Sequence, residues 1–148
     1  MSKLNAMRCP QCGTGTIRPV ARRGRKMRHK TMMLEVPAKI AIPTCDHCGE
    51  EWFDETTTEK VDAALEDLYR QQLCARARKA IDDMTEAHVS QRAVERALGI
   101  SVGYLSKLRS GEKIPSPELV LNLAFIAKDP AKRVHEAEEF WSKETDAA

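Results

Sequence analysis

Four of the five cysteines stand in two Cys-x-x-Cys pairs, Cys9-Pro10-Gln11-Cys12 and Cys45-Asp46-His47-Cys48; the fifth, Cys74, stands alone. Nothing else in the sequence restricts the fold as strongly. Each pair offers two sulfurs from one tight loop, and two pairs supply the four tetrahedral ligands of zinc. An all-cysteine set leaves no open coordination position for a reactive water. The pattern therefore points to a closed, structural site with one Zn2+ per chain and Cys9, Cys12, Cys45 and Cys48 as candidate ligands. Gly13 and Gly49 follow the pairs. They are expected to let the backbone turn back and aim amide N–H groups at the sulfurs. Thirty-two residues separate Cys12 from Cys45. Doubling a loop adds only about 0.6 kcal/mol of closure entropy, whereas structural zinc contributes roughly 10–16 kcal/mol apparent in small peptides. The metal wins, and it is expected to fold a module with little core of its own. The rival use of Cys-x-x-Cys, dithiol exchange, goes with a βαβ pattern that the sequence lacks. His29 and His47 are read as surface residues rather than ligands, and Cys74 as a buried helix thiol.

The formal net charge of +2 conceals an uneven distribution. Residues 1–50 hold ten Lys/Arg against three Asp/Glu, residues 51–85 five against nine, and residues 86–148 nine against ten. A basic N-terminal third followed by an acidic stretch suggests an anionic partner near the N-terminus, or a solvated basic face. No apolar run approaches the roughly 18 residues of a membrane span. Met1 to Pro10 lack the apolar stretch of a secretory signal. A cytoplasmic chain without membrane contact is expected.

The spacing of turn residues predicts an α+β chain in three parts: a small β-rich four-cysteine zinc module (1–55), a helical connector (56–83) and an all-α helix-turn-helix domain (84–148). In the first part, a strand over Ile17 to Val20, a turn over Arg22 to Lys26 and a returning strand over Met27 to Val36 are expected. Ala38 to Ile42 then leads into the second cysteine pair. Thr56 and Glu59 have capping-box spacing. Val61, Ala64, Leu65, Leu68 and Tyr69 continue as a helical stripe that extends through Cys74 and Ile81, with room for a break.

The segment Ser90-Gln91-Arg92-Ala93-Val94-Glu95-Arg96-Ala97-Leu98-Gly99-Ile100-Ser101-Val102-Gly103-Tyr104-Leu105-Ser106-Lys107-Leu108-Arg109-Ser110-Gly111 reads as two helices about a tight turn. Ser90 caps the first, Gly99 stops it, Ser101 caps the second and Gly111 ends it. Val94, Leu98, Ile100, Leu105 and Leu108 are the expected buried set. Val102, Gly103, Ser106 and Lys107 are left free to enter a major groove. Gln91 suits a phosphate contact, and Lys107 a guanine edge or a phosphate. Lys113, just beyond the motif, joins the candidate DNA-contacting set. Glu95 stands where the tight helix–helix contact usually has Ala, and Gly103 lowers helix propensity. Ser116-Pro117 opens a further helix carrying Leu119, Leu123 and Ile126; Asp129-Pro130 breaks it before a last helix over Ala131 to Trp141.

A Cys-Pro-x-Cys-Gly…Cys-x-x-Cys-Gly-Glu module followed by Ser-Gln…Leu-Gly-Ile-Ser…Leu-Ser-Lys…Gly…Pro resembles the MqsA (YgiT-type) antitoxin family. The C-terminal half resembles the Xre or Cro/CI repressor class. The resemblance implies that the zinc domain grips a toxin, while the helical domain forms a homodimer and represses its own operon at a palindromic DNA operator. It makes Cys9, Cys12, Cys45 and Cys48 the zinc ligands and places operator contacts at Gln91, Ser101, Gly103, Ser106 and Lys107. Two departures stand out. A polar base reader such as Asn is typical where this chain has Gly103, and the loop Arg22-Arg23-Gly24-Arg25-Lys26-Met27-Arg28 is more charged than toxin capture requires. That loop is a second candidate contact for RNA or DNA phosphate. Val120, Phe125, Phe140 and Trp141 are candidate dimer residues. The alternative is a stand-alone zinc-containing transcriptional regulator, in which Arg22, Arg23, Arg25 and Lys26 extend the DNA interface. An enzyme is not expected: the sequence has no carboxylate–His constellation at an open metal, no G-x-S-x-G and no phosphate-cradling loop. His88 and His135 read as surface or capping residues.

Overall fold

Short extended runs separated by turn residues form two separate two-stranded sheets, one of them closed by strands far apart in the chain. The structure is a computed structural model and describes residues 4–144; residues 1–3 and 145–148, the outer ends of the first and last expected parts, lie outside the described residues. Strand β1 (Ile17–Val20) pairs antiparallel with β4 (Ile42–Cys45), Ile17 opposite Cys45 and Val20 opposite Ile42. Strand β2 (Lys26–His29) pairs with β3 (Met32–Glu35). The single returning strand expected over Met27 to Val36 is therefore a hairpin. The chain reverses at Lys30, which adopts a left-handed φ of 51°, and His29 pairs with Met32 across the turn. A non-glycine residue rarely takes this conformation. Here Lys30 is held by Glu66 at 2.8 Å and lies 5.1 Å above the Tyr69 ring.

Helix α1 (Glu55–Glu86) runs unbroken for 32 residues. It starts at Asp54 and not at a Thr56/Glu59 box: the Asp54 carboxylate accepts the Thr57 amide at 2.9 Å. An aspartate at the N-cap satisfies an orphan donor and complements the helix dipole, so it outcompetes the later threonine. No proline or glycine occurs between Glu55 and Glu86, which removes the cause of a break. The helix ends at His88, in a left-handed cap with φ 59°.

The chain forms two compact units, Met1–Tyr69 and Arg70–Ala148, with α1 contributing to both. In the first, Met32, Leu34, Val61, Leu65 and Tyr69 are buried. His29 Nε2 meets Glu66 Oε2 at 2.8 Å, and Thr31 meets the Tyr69 hydroxyl at 3.1 Å. The second unit adds α2 (Gln91–Leu98), α3 (Tyr104–Ser110), α4 (Pro117–Ala127) and α5 (Pro130–Ser142) to the last part of α1. Ala77, Ile81, Met84, Val94, Leu105, Leu108, Leu123, Ile126 and, on α5, Val134 are among its buried residues. Ser90 and Ser116 cap α2 and α4 through the amides of Ala93 and Leu119, as their spacing predicts. Leu98, Ile100 and Cys74 are only half-buried. Among the described residues no helix is long and apolar enough to cross a membrane.

Candidate metal centre and nucleic-acid interface

Each cysteine pair sits on a turn that bends because glycine follows it. Gly13 and Gly49 hold left-handed φ values of 66° and 74°, and their amides close the turns onto the Cys9 and Cys45 carbonyls at 2.9 and 3.1 Å. The amides that reach sulfur are therefore not theirs. Gly15 N–H donates to Cys12 Sγ at 3.3 Å and His47 N–H to Cys45 Sγ at 3.4 Å. The β1–β4 pairing brings the two turns together. All four sulfurs then lie within 4.8 Å of one another, with Cys9–Cys48 at 3.8 Å and Cys12–Cys45 at 3.7 Å. A zinc tetrahedron with bonds of about 2.3 Å has sulfur–sulfur edges of about 3.8 Å. The four residues are thus placed to bind a metal ion, and a thiolate set of this geometry suits zinc.

Taken as thiols, Cys12 and Cys48 are shifted in opposite directions. The Gly15 and Thr14 amides hold Cys12 down to about 6. Cys48 is pushed up to about 12: the Glu50 amide favours its thiolate, but desolvation and the neighbouring sulfurs outweigh that. Four sulfurs this close need a cation between them before all can be thiolates. Ile17 packs against Cys9 and Cys45, with Leu4, Cys12 and Trp52 partly buried beside them. A residue the sequence reading missed is Gly15. A Cβ there would collide with Cys45 Sγ and stand 2.7 Å from His47 Cβ. The signal was present as the second glycine of Cys-Gly-Thr-Gly. His47 is exposed, and His29 is engaged by Glu66, so neither joins the cluster.

The basic loop is not a free strip of charge. Arg25 is only 5% exposed. Its Nε donates to Glu51 Oε1 at 2.6 Å, and Arg22 reaches the same oxygen at 2.9 Å. Burial alone would raise the Glu51 carboxyl, yet the two guanidiniums hold it below its ordinary value of 4.5. Arg23, Lys26 and Arg28 remain exposed.

In the second unit, Leu105 and Leu108 turn α3 inward and leave Ser106 and Lys107 in solvent. The helix begins later than a Ser101 cap implies. Gly103 is its N-cap, at φ 84° and with no side-chain capping bond. Ser101 contributes its carbonyl, which accepts the Tyr104 amide at 3.1 Å. Gly103 therefore precedes the helix and does not stand on its outer face, while Val102, 71% exposed, forms the tip of the turn. Ser106 Oγ donates to Gln91 Oε1 at 3.0 Å, joining the two helices on the exposed side. Lys113 is exposed, and its amide bonds the Lys107 carbonyl at 3.2 Å. Glu95 is buried, its carboxylate accepting the Gly103 amide. Of the candidate dimer residues, Val120 is buried at 6% because it shares the inward face of α4 with Leu123; Phe125, Phe140 and Trp141 are exposed.

Residues 83–124 match the family model for the helix-turn-helix, of Xre/Cro type. No curated protein matches the chain. The matched segment spans the end of α1 through most of α4 and contains Gln91, Ser101, Val102, Gly103, Ser106, Lys107 and Lys113. It points to a DNA-binding transcription regulator.

Proposed function

We propose that the chain is a transcriptional repressor and antitoxin. Its helical unit binds a palindromic double-stranded operator of its own operon as a homodimer, in the cytoplasm. Its four-cysteine module, folded on one Zn2+ per chain, binds a protein toxin. The functional parts are the zinc module (1–55), the connector (56–83) and the DNA-binding part (84–148). The observation that carries the DNA-binding reading is the family match over 83–124. It falls on a pair of helices whose buried leucines leave Val102, Ser106 and Lys107 outward. Gln91, Ser101, Gly103 and Lys113 complete the proposed interface, Gly103 and Ser101 through backbone placement. No catalytic role is assigned.

The antitoxin role rests on the likeness to MqsA-type antitoxins and on one feature of the module. In a stand-alone regulator, the basic loop extends the DNA interface. Arg22 and Arg25 are instead engaged by Glu51, so two of the four charges that such an extension would use are already paired. Native mass spectrometry of the protein purified from its own host tests the proposal. The expected mass is a zinc-loaded dimer carrying a stoichiometric small partner. A zinc-loaded dimer without partner overturns the antitoxin role and leaves the stand-alone regulator.

A further inference from the structure

The second unit buries a carboxylate where a small apolar side chain would pack more cheaply. Glu95 on α2 is 2% exposed, and a buried carboxylate is costly unless it is hydrogen-bonded. Its Oε2 accepts the backbone N–H of Gly103 at 2.5 Å. Gly103 is the residue on which α3 starts, and its carbonyl accepts the Lys107 amide at 3.2 Å, the first turn of that helix. A Cβ at Gly103 would meet nothing within 4 Å, so space does not require the glycine; its φ of 84° does. The left-handed backbone turns the Gly103 N–H toward α2, and Glu95 is there to receive it. One turn earlier on α2, Gln91 Oε1 accepts the Ser106 hydroxyl at 3.0 Å. Positions 91 and 95 are four apart and so share one face of the helix. Two side chains of α2 thus grip α3, one at its start and one at its middle.

We propose that Glu95 is a positioning residue for the recognition helix. Its carboxylate, paired with the Gly103 amide, fixes where α3 begins and hence where Val102, Ser106 and Lys107 meet base edges. The inference rests on the DNA-binding reading. It also explains why a glycine stands at a place where a polar base reader is typical. Glycine adopts without strain the φ of 84° that aims this amide at Glu95, and base reading passes to Val102 beside it, an apolar group suited to a thymine methyl.

The test uses the full-length zinc-loaded protein as wild type, Glu95→Ala and Glu95→Gln. The probes are a duplex enriched by the wild type from a random pool and a random-sequence duplex of the same length. Glu95→Ala should lower the preference for the enriched duplex about tenfold, the effect of one lost hydrogen bond to a charged group. Binding to the random duplex, and its salt slope, should not change, since Glu95 touches no phosphate. Glu95→Gln keeps an acceptor oxygen and should retain the preference. Amide hydrogen exchange at Gly103 is the independent readout: faster in Glu95→Ala, restored in Glu95→Gln. Unchanged preference or unchanged Gly103 exchange in Glu95→Ala overturns the proposal. If Glu95→Ala fails to fold, Glu95→Gln decides, because loss of preference or of Gly103 protection there removes the acceptor role. If the wild type enriches no duplex, the DNA-binding reading fails, while Gly103 exchange still decides whether Glu95 holds the turn.

Discussion

Around its four cysteines the first unit gathers Ile17 in full and Leu4 and Trp52 in part, whereas the second unit packs side chains from all five helices. Leu105, Leu108 and Leu123 there have no exposed surface at all. The first unit also buries Met32 and Leu34 of β3 and Val61, Leu65 and Tyr69 of α1, so the contrast lies in the surroundings of the cysteines. Around the cysteines apolar packing is sparse, and a bound metal is expected to tie folding to metal binding there. In the helical unit, apolar burial suffices, and its polar contacts set geometry. The difference predicts a separate weak point for each: metal loss at the cysteine cluster, side-chain loss in the helical unit.

The largest expected effect breaks the comparison at the metal. Chelation, or Cys45→Ser, should unfold the cysteine module, because structural zinc contributes roughly 10–16 kcal/mol apparent in small peptides. Partner binding should go with it. Circular dichroism should retain most of the helical signal; loss of helix in step with zinc would mean that the two units do not fold by separate means. Next is the converse. Leu105→Ala should cost about 2–5 kcal/mol, as for other large-to-small changes in a packed core. In urea unfolding the helical transition should move to lower denaturant while the zinc content stays at one per chain.

Smaller effects sharpen the contrast. Gly15→Ala places a methyl against Cys45 Sγ and His47, and overpacking of this kind costs about 1–3 kcal/mol. Competition with a chelator should show weaker zinc retention, and an unaltered affinity would mean the turn relaxes freely. Lys107→Ala should cost about 1–3 kcal/mol of operator affinity if the side chain reads a base; equal affinity of variant and wild type would mean that α3 is not the recognition helix. The smallest effect concerns Glu51, whose pKa is depressed in the folded state by Arg25 and Arg22. A depressed carboxyl stabilises the fold above its ordinary value of 4.5, and that contribution is lost as pH falls through the folded value. Wild type should therefore exceed Glu51→Gln in stability at neutral pH, and the gap should close in acid. A gap that persists in acid would place the contribution in packing rather than charge.

The candidate ligands were legible because a Cys-x-x-Cys turn is a local object: its spacing alone sets the two sulfurs side by side. Ser90, Gly99 and Ser116 marked helix ends for the same reason. Other features escaped because they depend on distant partners. Arg25 reads as one more basic loop residue until Glu51, 26 positions on, is seen to bury it. Val120 reads as an interface residue until the rotation of α4 turns it inward. Gly103 reads as a helix residue until the left-handed turn before α3 is seen.

By itself the sequence determined the four-cysteine cluster, the two-helix motif about Gly99 and the α+β order of parts, since each follows from short-range spacing and backbone preference. Only the tertiary structure decided that the middle strands form their own hairpin, that Arg22 and Arg25 are spent on Glu51, and that Glu95 reaches the Gly103 amide. Those outcomes depend on which groups meet once the chain has folded, from eight positions apart for Glu95 and Gly103 to 29 for Arg22 and Glu51. Desolvation then requires a buried charge or donor to find its partner, and spacing along the chain does not encode which one.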